Sequence, residues 1–357
     1  MFGPFATKLI KSRKDEVGTR TYEYLEWWLS HLRPYFADWP LDQITAEAVD
    51  AYRSHKVAQS KERRAAIERN RAVPDEHGRR PQPLAASSIN KTIDVLQYVL
   101  SIALEYHHIT ENTAAGKRRR LKVPAKPPIY LDTAEQIQAL IDAAAKLDRE
   151  PYWRCNDRKA IITTLMLAGP RATELCYLLW RDIDLANGRI YIGRSKTQAG
   201  LREIPLLPLL RDELAAHKAR AYRPLPDSLV FPTATGGRRD KDNLRSRVLA
   251  AAITEANKLL SERDQLPLPD GLANHKLRHT FASILVALGE DPTSVMASLG
   301  HTDPKFTLKV YSHLMRRDPA ERARLKALVN GDTTNRAIHE PATEPSPAPA
   351  LLELTSV

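Results

Sequence analysis

Apolar side chains recur every three or four positions along much of this chain, a spacing that predicts helices. The first clear stretch is TRTYEYLEWWLSHLRPYF, residues 19–36, with Thr19 or Thr21 placed to cap it. DQITAEAVDAYRSHKVA follows as a second helix, with Thr45 ahead of Ala, Glu and Ala. The charged stretch from Lys61 to Pro83 loses the spacing towards its end, so it reads as a helix extension running into a loop. AASSINKTIDVLQYVLSIALEYHHI is strongly amphipathic, with Ser87 or Ser88 as the expected cap. The first 116 residues therefore read as all-helical, with four or five helices: an extension over 1–18 and a helical domain over 19–116.

The pattern resumes at residue 132. DTAEQIQALIDAAAKL reads as a capped helix, RKAIITTLMLAG as a buried one, and RATELCYLLWRDIDL as a third, ended by ANG. In GRIYIGRSKTQAGLREIPL the period changes to two, which predicts a β-hairpin with strands near 189–194 and 201–206 and Lys196 on the turn side. Helical spacing returns in LPLLRDELAAHKAR, then a short strand in SLVFP, then helices over 241–259, HKLRHTFASILVALG, DPTSVMASLG, TLKVYSHL and DPAERARLKALVN. The expected fold is mainly α with a small antiparallel β-sheet, an α+β chain whose second domain spans 130–331. Residues 332–357, rich in Pro, Thr and Ala with few large apolar side chains, read as a disordered tail.

Charge adds a partner. The net charge is +11 and the isoelectric point about 9.6, a balance suited to a polyanion, since each Lys or Arg that meets a phosphate releases a counterion. The excess is concentrated between the two domains. Residues 116–126 hold six Lys or Arg and no acid, and Pro124, Pro127 and Pro128 stiffen the segment. Residues 117–129 thus read as a basic linker. Lys117, Arg118, Arg119, Arg120 and Lys122 are candidates for contact with a phosphate backbone, against the plainer reading of a solvated hinge. No run approaches the roughly 18 apolar residues of a membrane span, and MFGPFATKLIKSRKDE lacks a secretory pattern. Cys155 and Cys176 form neither a zinc pattern nor a disulfide framework. A cytoplasmic protein with no membrane partner fits these features.

A metal-free phosphoryl transfer to a side-chain oxygen needs a nucleophile, donors for the non-bridging oxygens and an acid for the leaving oxygen. Arginine suits the oxygens through its planar, permanently charged fork. His and Lys move protons, and tyrosine can attack to give an aryl phosphate. The C-terminal two-thirds offers this set in Arg171, Lys196, His275, Arg278, His301 and Tyr311. Taken singly, each has a duller reading: a packed tyrosine, surface or solvated cations, a histidine at a helix start or a turn. His279 and His313 read as structural, and His107 and His108 as surface residues.

The motifs themselves resemble those of the tyrosine recombinases, the phage-integrase family of site-specific DNA recombinases. LAGPRATELCYLLWRDID resembles the first arginine box, with Arg171 and, three residues on, Glu174. SKTQAGLREIPL resembles the hairpin that delivers the catalytic lysine, here Lys196. HKLRHTFAS resembles the H-x-x-R box and gives His275 and Arg278; LGH gives His301, and YSHL gives Tyr311. Three residues separate His275 from Arg278, 23 more lead to His301 and ten more to Tyr311, an order and spacing that fit. The match covers nearly all of 130–320, and SSINKTIDVLQYVLSIALEYHHITEN looks, more loosely, like the last long helix of the family's core-binding (SAM-like) DNA-binding domain.

The resemblance implies that Tyr311 attacks the scissile phosphate, leaving a 3′-phosphotyrosyl bond and a free 5′-hydroxyl. It implies that Arg171 and Arg278 clamp the non-bridging oxygens, that Lys196 protonates the leaving oxygen, that His275 acts as base and that His301 hydrogen-bonds the phosphate. Glu174 would orient a neighbour, Arg171 or His275. No metal, ATP or other cofactor is implied. The implied partners are double-stranded DNA recombination sites and further copies of the chain, in a tetramer on DNA, with room for accessory directionality or DNA-bending factors. DNA integration, excision, dimer resolution and transposition all stay open, as does membership of a mobile genetic element. Two positions depart from the family pattern: Pro170 stands where a non-proline apolar residue is usual, and Lys276 where an acid is common. A DNA-binding protein on the same fold that does not cut, and a topoisomerase sharing the chemistry, are the alternatives.

Overall fold

The computed structural model describes residues 1–71, 74, 78, 80, 82–124, 127–150, 156–193, 201–300 and 318–332. The chain divides into two compact units, Met1–Lys126 and Pro127–Val357.

The first unit holds four α-helices among its described residues: α1 (Phe2–Ser12), α2 (Thr19–Phe36), α3 (Ala46–Glu68) and α4 (Ala86–Glu105). The stretch expected to be an extension is α1. Its Phe2, Ala6 and Ile10, four residues apart, lie fully buried in the same core as Leu29, Leu32 and Phe36 of α2. Backbone bonds from Phe2 N to Trp39 O (2.8 Å) and Gly3 N to Ala37 O (2.9 Å) tie it down. Thr45 caps α3 by accepting from Ala48 N. The other expected caps are shifted. Gly18 is the N-cap of α2, and Ala85 that of α4, where the N–H groups of Ser88 and Ile89 bond back to the Ala85 carbonyl.

The basic segment folds onto this unit. Arg119 reaches Asp50 (3.0 Å) and the Thr113 carbonyl. Arg120 bonds Asp94 (3.0 Å), the Ala114 carbonyl (2.8 Å) and Gln97 Oε1 (2.5 Å). Arg53 donates to the Arg118 carbonyl, and Asn90 brackets Leu121 through both backbone groups. The side chains of Lys117, Arg118 and Lys122 stay exposed.

The second unit is built on α5 (Ala134–Leu147), α6 (Arg158–Leu167), α7 (Ala172–Tyr177), α8 (Pro208–Arg220), α9 (Lys241–Asn243), α10 (Ala250–Glu262), α11 (Asn274–Leu288), α12 (Pro292–Leu299) and α13 (Pro319–Asn330). A π-helical turn, Leu244–Leu249, joins α9 to α10. Helix α11 runs through the core, with Leu277, Phe281, Ala282 and Ile284 fully buried. Leu325 and Val329 bring α13 into the same core, and Glu321 accepts from Ala134 N (2.8 Å) at the start of α5. No helix among the described residues is long and apolar enough to cross a membrane.

The sheet is antiparallel in the order β1 (Ile183–Asp184), β2 (Arg189–Ile192), β3 (Arg202–Pro205). Two expectations change here. The helix expected over 171–185 stops at Tyr177, because the backbone beyond it pairs elsewhere: Val230 N bonds Leu178 O (2.9 Å) and Trp180 N bonds Ser228 O (3.1 Å). SLVFP correspondingly forms no strand, only isolated bridges from Leu229 to Leu179 and from Pro232 to Arg238. Tertiary pairing outcompetes local helical spacing in the first segment. Lys196, the helix expected at TLKVYSHL and the tail from 333 lie outside the described residues.

Candidate active site

The site begins in the turn between α6 and α7. Gly169 adopts φ +57°, a left-handed conformation that only glycine enters at little cost. A Cβ there would lie 2.5 Å from Phe281 Cδ1, so backbone and ring are in close contact. Pro170 is buried just ahead of Arg171, which is the N-cap of α7 and so lies one residue outside the helix. Arginine has no oxygen with which to cap. Glu174, at the third helical position, supplies the missing acceptor: Oε2 takes the Arg171 N–H (2.8 Å) and Oε1 takes Nη1 of the Arg171 side chain (2.7 Å). The carboxylate also sits in the first turn, where the helix dipole favours it.

Glu174 serves a second arginine, which the sequence reading missed. Arg202, at the start of β3, places Nη2 2.8 Å from Oε2 and Nη1 3.2 Å from Oε1, and its Nε donates to the Ser298 carbonyl (2.9 Å) near the end of α12. The side chains of Glu174 and Arg202 are 5% and 4% exposed, whereas that of Arg171 is 40% exposed. The signal was available in the alternation of β3: Arg202 lies two residues from Ile204, which is fully buried, so it falls on the inward face. A basic side chain on an inward face must find a buried acceptor. Burial, the largest influence, opposes ionisation of Glu174. Arg202 and then Arg171 together outweigh it and hold the carboxyl below its ordinary range.

Helix α11 adds the next groups. Arg278 is 1% exposed, and its Nη1 donates to the Gly169 carbonyl (2.8 Å), two residues before Arg171. The two arginines of separate motifs thus meet at one turn. His275, one helical turn earlier, keeps an exposed edge. Its pKa is lowered, first by burial and then by the charges of Arg278, Lys276 and Arg171. His279 is buried against it, ring centroids 5.0 Å apart and edge to face. Burial first, then His275 and the neighbouring cations, push His279 down to about 4, so it is neutral at physiological pH. Asn274 ties the start of α11 to the Lys241 carbonyl (3.3 Å).

The structure therefore brings together Arg171, Glu174, His275 and Arg278. Lys196, His301 and Tyr311 lie outside the described residues, as does His313; the described chain approaches them in sequence at Gly193, Leu201, Gly300 and Asp318. His107 and His108 are exposed on the first unit. Among the described residues around the turn, two guanidinium groups occupy both oxygens of one carboxylate and a third holds the Gly169 carbonyl. Such a surface can bind a phosphate and stabilise the charge it gains in a transition state.

The phage integrase family model matches residues 132–317. Among curated relatives, tyrosine recombinase XerC of Xanthomonas axonopodis pv. citri (strain 306) is 28% identical over 234 residues, 65% of this chain and 68% of the relative. XerC of Xanthomonas campestris pv. campestris (strain B100) is 26% identical over 300 residues, 80% and 84% of the two chains. Among solved structures, the Tn1549 transposon integrase in complex with transposon right end DNA superposes with a TM-score of 0.66 at 19% identity, covering 91% of this chain and 98% of that one. A lambda integrase dimer bound to a COC′ core site gives 0.60 at 17% identity, over 88% and 95%. These structures carry the same fold, mostly helical with a small antiparallel sheet.

Proposed function

The chain belongs to the phage integrase family, and from that premise we propose that it is a site-specific DNA recombinase that cuts and rejoins strands through a 3′-phosphotyrosyl intermediate. The observation that carries the reading is the meeting of Arg278 and Arg171 at the Gly169 turn, with the buried arginine held by a backbone carbonyl and the outer one by Glu174. Two permanently charged forks fixed before substrate arrives need no reorganisation when the phosphate gains charge.

In the proposed step, the Tyr311 phenol oxygen attacks the scissile phosphorus and the bond from phosphorus to the 5′-oxygen breaks. The phenol proton passes to His275, whose lowered pKa keeps it neutral and receptive at pH 7. Lys196 donates a proton to the leaving oxygen, which departs as a 5′-hydroxyl. Arg171, Arg278 and His301 hold the non-bridging oxygens. The aryl phosphodiester keeps the energy of the broken bond, so a 5′-hydroxyl from a partner strand reverses the step and no ATP or metal enters. Strand exchange between two duplexes calls for four active sites, so the working assembly is a tetramer on paired DNA sites, and accessory factors would act on its direction. Lys117, Arg118 and Lys122 supply backbone contacts from the first unit. Action on DNA would suit a cytoplasmic protein.

The test is covalent capture. Purified protein is mixed with a pool of nicked duplexes of randomised sequence, and the DNA that stays attached after denaturation is sequenced. The reading expects adducts at 3′ ends, a shared sequence among them, and none with Tyr311→Phe. Two duplexes carrying the recovered site should then exchange strands; relaxation of supercoils without exchange would favour a topoisomerase. Specific binding with no adduct from the wild-type protein would favour the non-cutting alternative and defeat the proposal.

A further inference from the structure

We propose that Lys56, His31 and Arg63, brought together by α2 and α3, form a phosphate site in the first unit, and that its occupant is a backbone phosphate of duplex DNA. The inference rests on the reading above only in taking duplex DNA as the substrate. No group assigned to the reaction takes part in it.

The inward face of α3 carries Val49, Tyr52, Lys56 and Ser60, at helical spacings of three and four. Val49 and Tyr52 belong to the core, and Ser60 Oγ accepts from Leu84 N (3.2 Å). Lys56 is the odd member. It is 6% exposed, its Nζ has a long bond to Gln59 Oε1 (3.4 Å), and the centre of the Tyr52 ring is 5.7 Å away. A lysine at this depth is ordinarily paired with an acid. Among the described residues no carboxylate pairs with it, and the charge that bears on it is another cation, Arg63.

α2 supplies His31. Tyr52 links the two helices by donating its phenol to the His31 carbonyl (3.5 Å). His31 Nε2 is buried and has no hydrogen-bond partner. The exposed indole of Trp27 stands edge to face with the His31 ring, centroids 4.6 Å apart. Arg63 lies two helical turns beyond Lys56, and its Nη1 donates to the Gln82 carbonyl (3.3 Å). The three groups repel one another: Lys56 and Arg63 add to burial in lowering the pKa of His31, and Arg63 does the same to Lys56. A phosphodiester carries one negative charge and offers acceptors alone. It would replace Gln59 at Nζ, take the N–H that His31 Nε2 can carry, and accept from the Arg63 fork. The net charge of +11 and the exposed Lys117, Arg118 and Lys122 of the same unit point to a polyanion as the source of that phosphate.

Stability does not explain the lysine. An ammonium taken out of water with no opposite charge beside it weakens the fold. Methionine is flexible and unbranched, and it would fill the same space without that penalty. The two roles therefore predict opposite signs. A structural lysine is missed when it is replaced by methionine, whereas a lysine kept for a phosphate leaves a protein that is at least as stable and binds DNA less well.

The test uses the full chain and a labelled duplex of random sequence, since contacts to the backbone do not depend on sequence. Binding of wild type, Lys56→Met and Arg63→Gln is followed by anisotropy over a range of salt, and melting by circular dichroism. Each variant should lose about 0.9 from the slope of log affinity against log salt, which is about eightfold in affinity at about 0.1 M salt. Lys56→Met should melt no lower than wild type. A slope in Lys56→Met within about 0.3 of the wild-type value overturns the inference. So does a Lys56→Met protein that fails to fold or melts more than about 5 °C lower, which would make the lysine structural. Inorganic phosphate alone, followed through tryptophan emission because Trp27 and Trp28 flank His31, separates the two sources of the ligand. A phosphate response in wild type with no change of duplex slope in the variants would mark a site for the free ion and overturn the inference. Wild-type protein that binds no duplex defeats the reading of the chain as an enzyme of DNA; wild-type binding with unchanged variants defeats the inference alone.

Discussion

Replacing Gly169 by alanine should damage the second unit twice, once through the backbone and once through Phe281. At φ +57° an L-residue costs about 1–2 kcal/mol relative to its preferred conformations. The new Cβ would also lie 2.5 Å from Phe281 Cδ1 and 3.0 Å from Phe281 Cβ and Cγ. Rotating the ring does not relieve the contact with Cβ, which is fixed to the buried helix α11, so that helix or the turn must move. Overpacking of this kind costs about 1–3 kcal/mol. Together the two effects amount to about 2–5 kcal/mol, or on the order of 5–15 °C in melting temperature for a unit of this size. Gly188→Ala is the matched control. Its φ is +67° and a Cβ there meets nothing within 4 Å, so only the backbone penalty of about 1–2 kcal/mol applies. Because the Gly169 carbonyl also holds Arg278, Gly169→Ala should slow cleavage by about 10- to 100-fold even well below its melting point, whereas Gly188→Ala should cleave normally. Melting followed by circular dichroism, with single-turnover cleavage in parallel, measures both. If the two variants melt within about 2 °C of each other and cleave alike, the argument from close packing at Gly169 is wrong.

Two further outcomes follow from the charges. Protonating His275 removes a base, so cleavage should be retained above its lowered pKa and lost below it, with a midpoint under 6.5. Lys276→Ala removes one of the charges that lower it, so the acid limb of the rate profile should move upward; a limb that stays in place would exclude this role for Lys276. On the first unit, Arg120→Ala breaks bonds to Asp94, Gln97 and the Ala114 carbonyl and should destabilise it by about 1–3 kcal/mol while leaving the salt dependence of DNA binding almost unchanged. Arg118→Ala, at an exposed position, should do the reverse and reduce the slope of log affinity against log salt by about 0.9; interchangeable effects in the two variants would refute the distinction.

What could be read in the sequence followed the range of the forces involved. α2, α3 and α5 each bury one face, so a repeat of three or four residues found them, and Thr45 and Asp291 mark starts because a capping bond closes within three residues. The end of α7 was not legible. Its stop depends on Leu178 and Trp180 pairing with Val230 and Ser228, some fifty residues away, and nothing in LLWRDID announces a partner at that distance. α1 was missed for a different reason: the run Phe2, Ala6, Ile10 has the right spacing, but it is too short to stand out until Leu29 and Phe36 are known to cover it.

The site divides in the same way. His275 and Arg278 share a helix turn, and Arg171 and Glu174 share a cap, so their pairing is local and the motifs carry it. Arg202 reaches Glu174 across 28 positions and Ser298 across 96, and only the inward register of β3 pointed to it. This long-range contact is also the one that residues scattered along a chain require. Each short motif can orient its own side chains, but none can set its distance to the next motif. A buried carboxylate shared by two guanidinium groups can do so, because leaving either charge unpaired in the interior would cost several kcal/mol. The ion cluster at Glu174 therefore stands where the motifs must be held in register with one another.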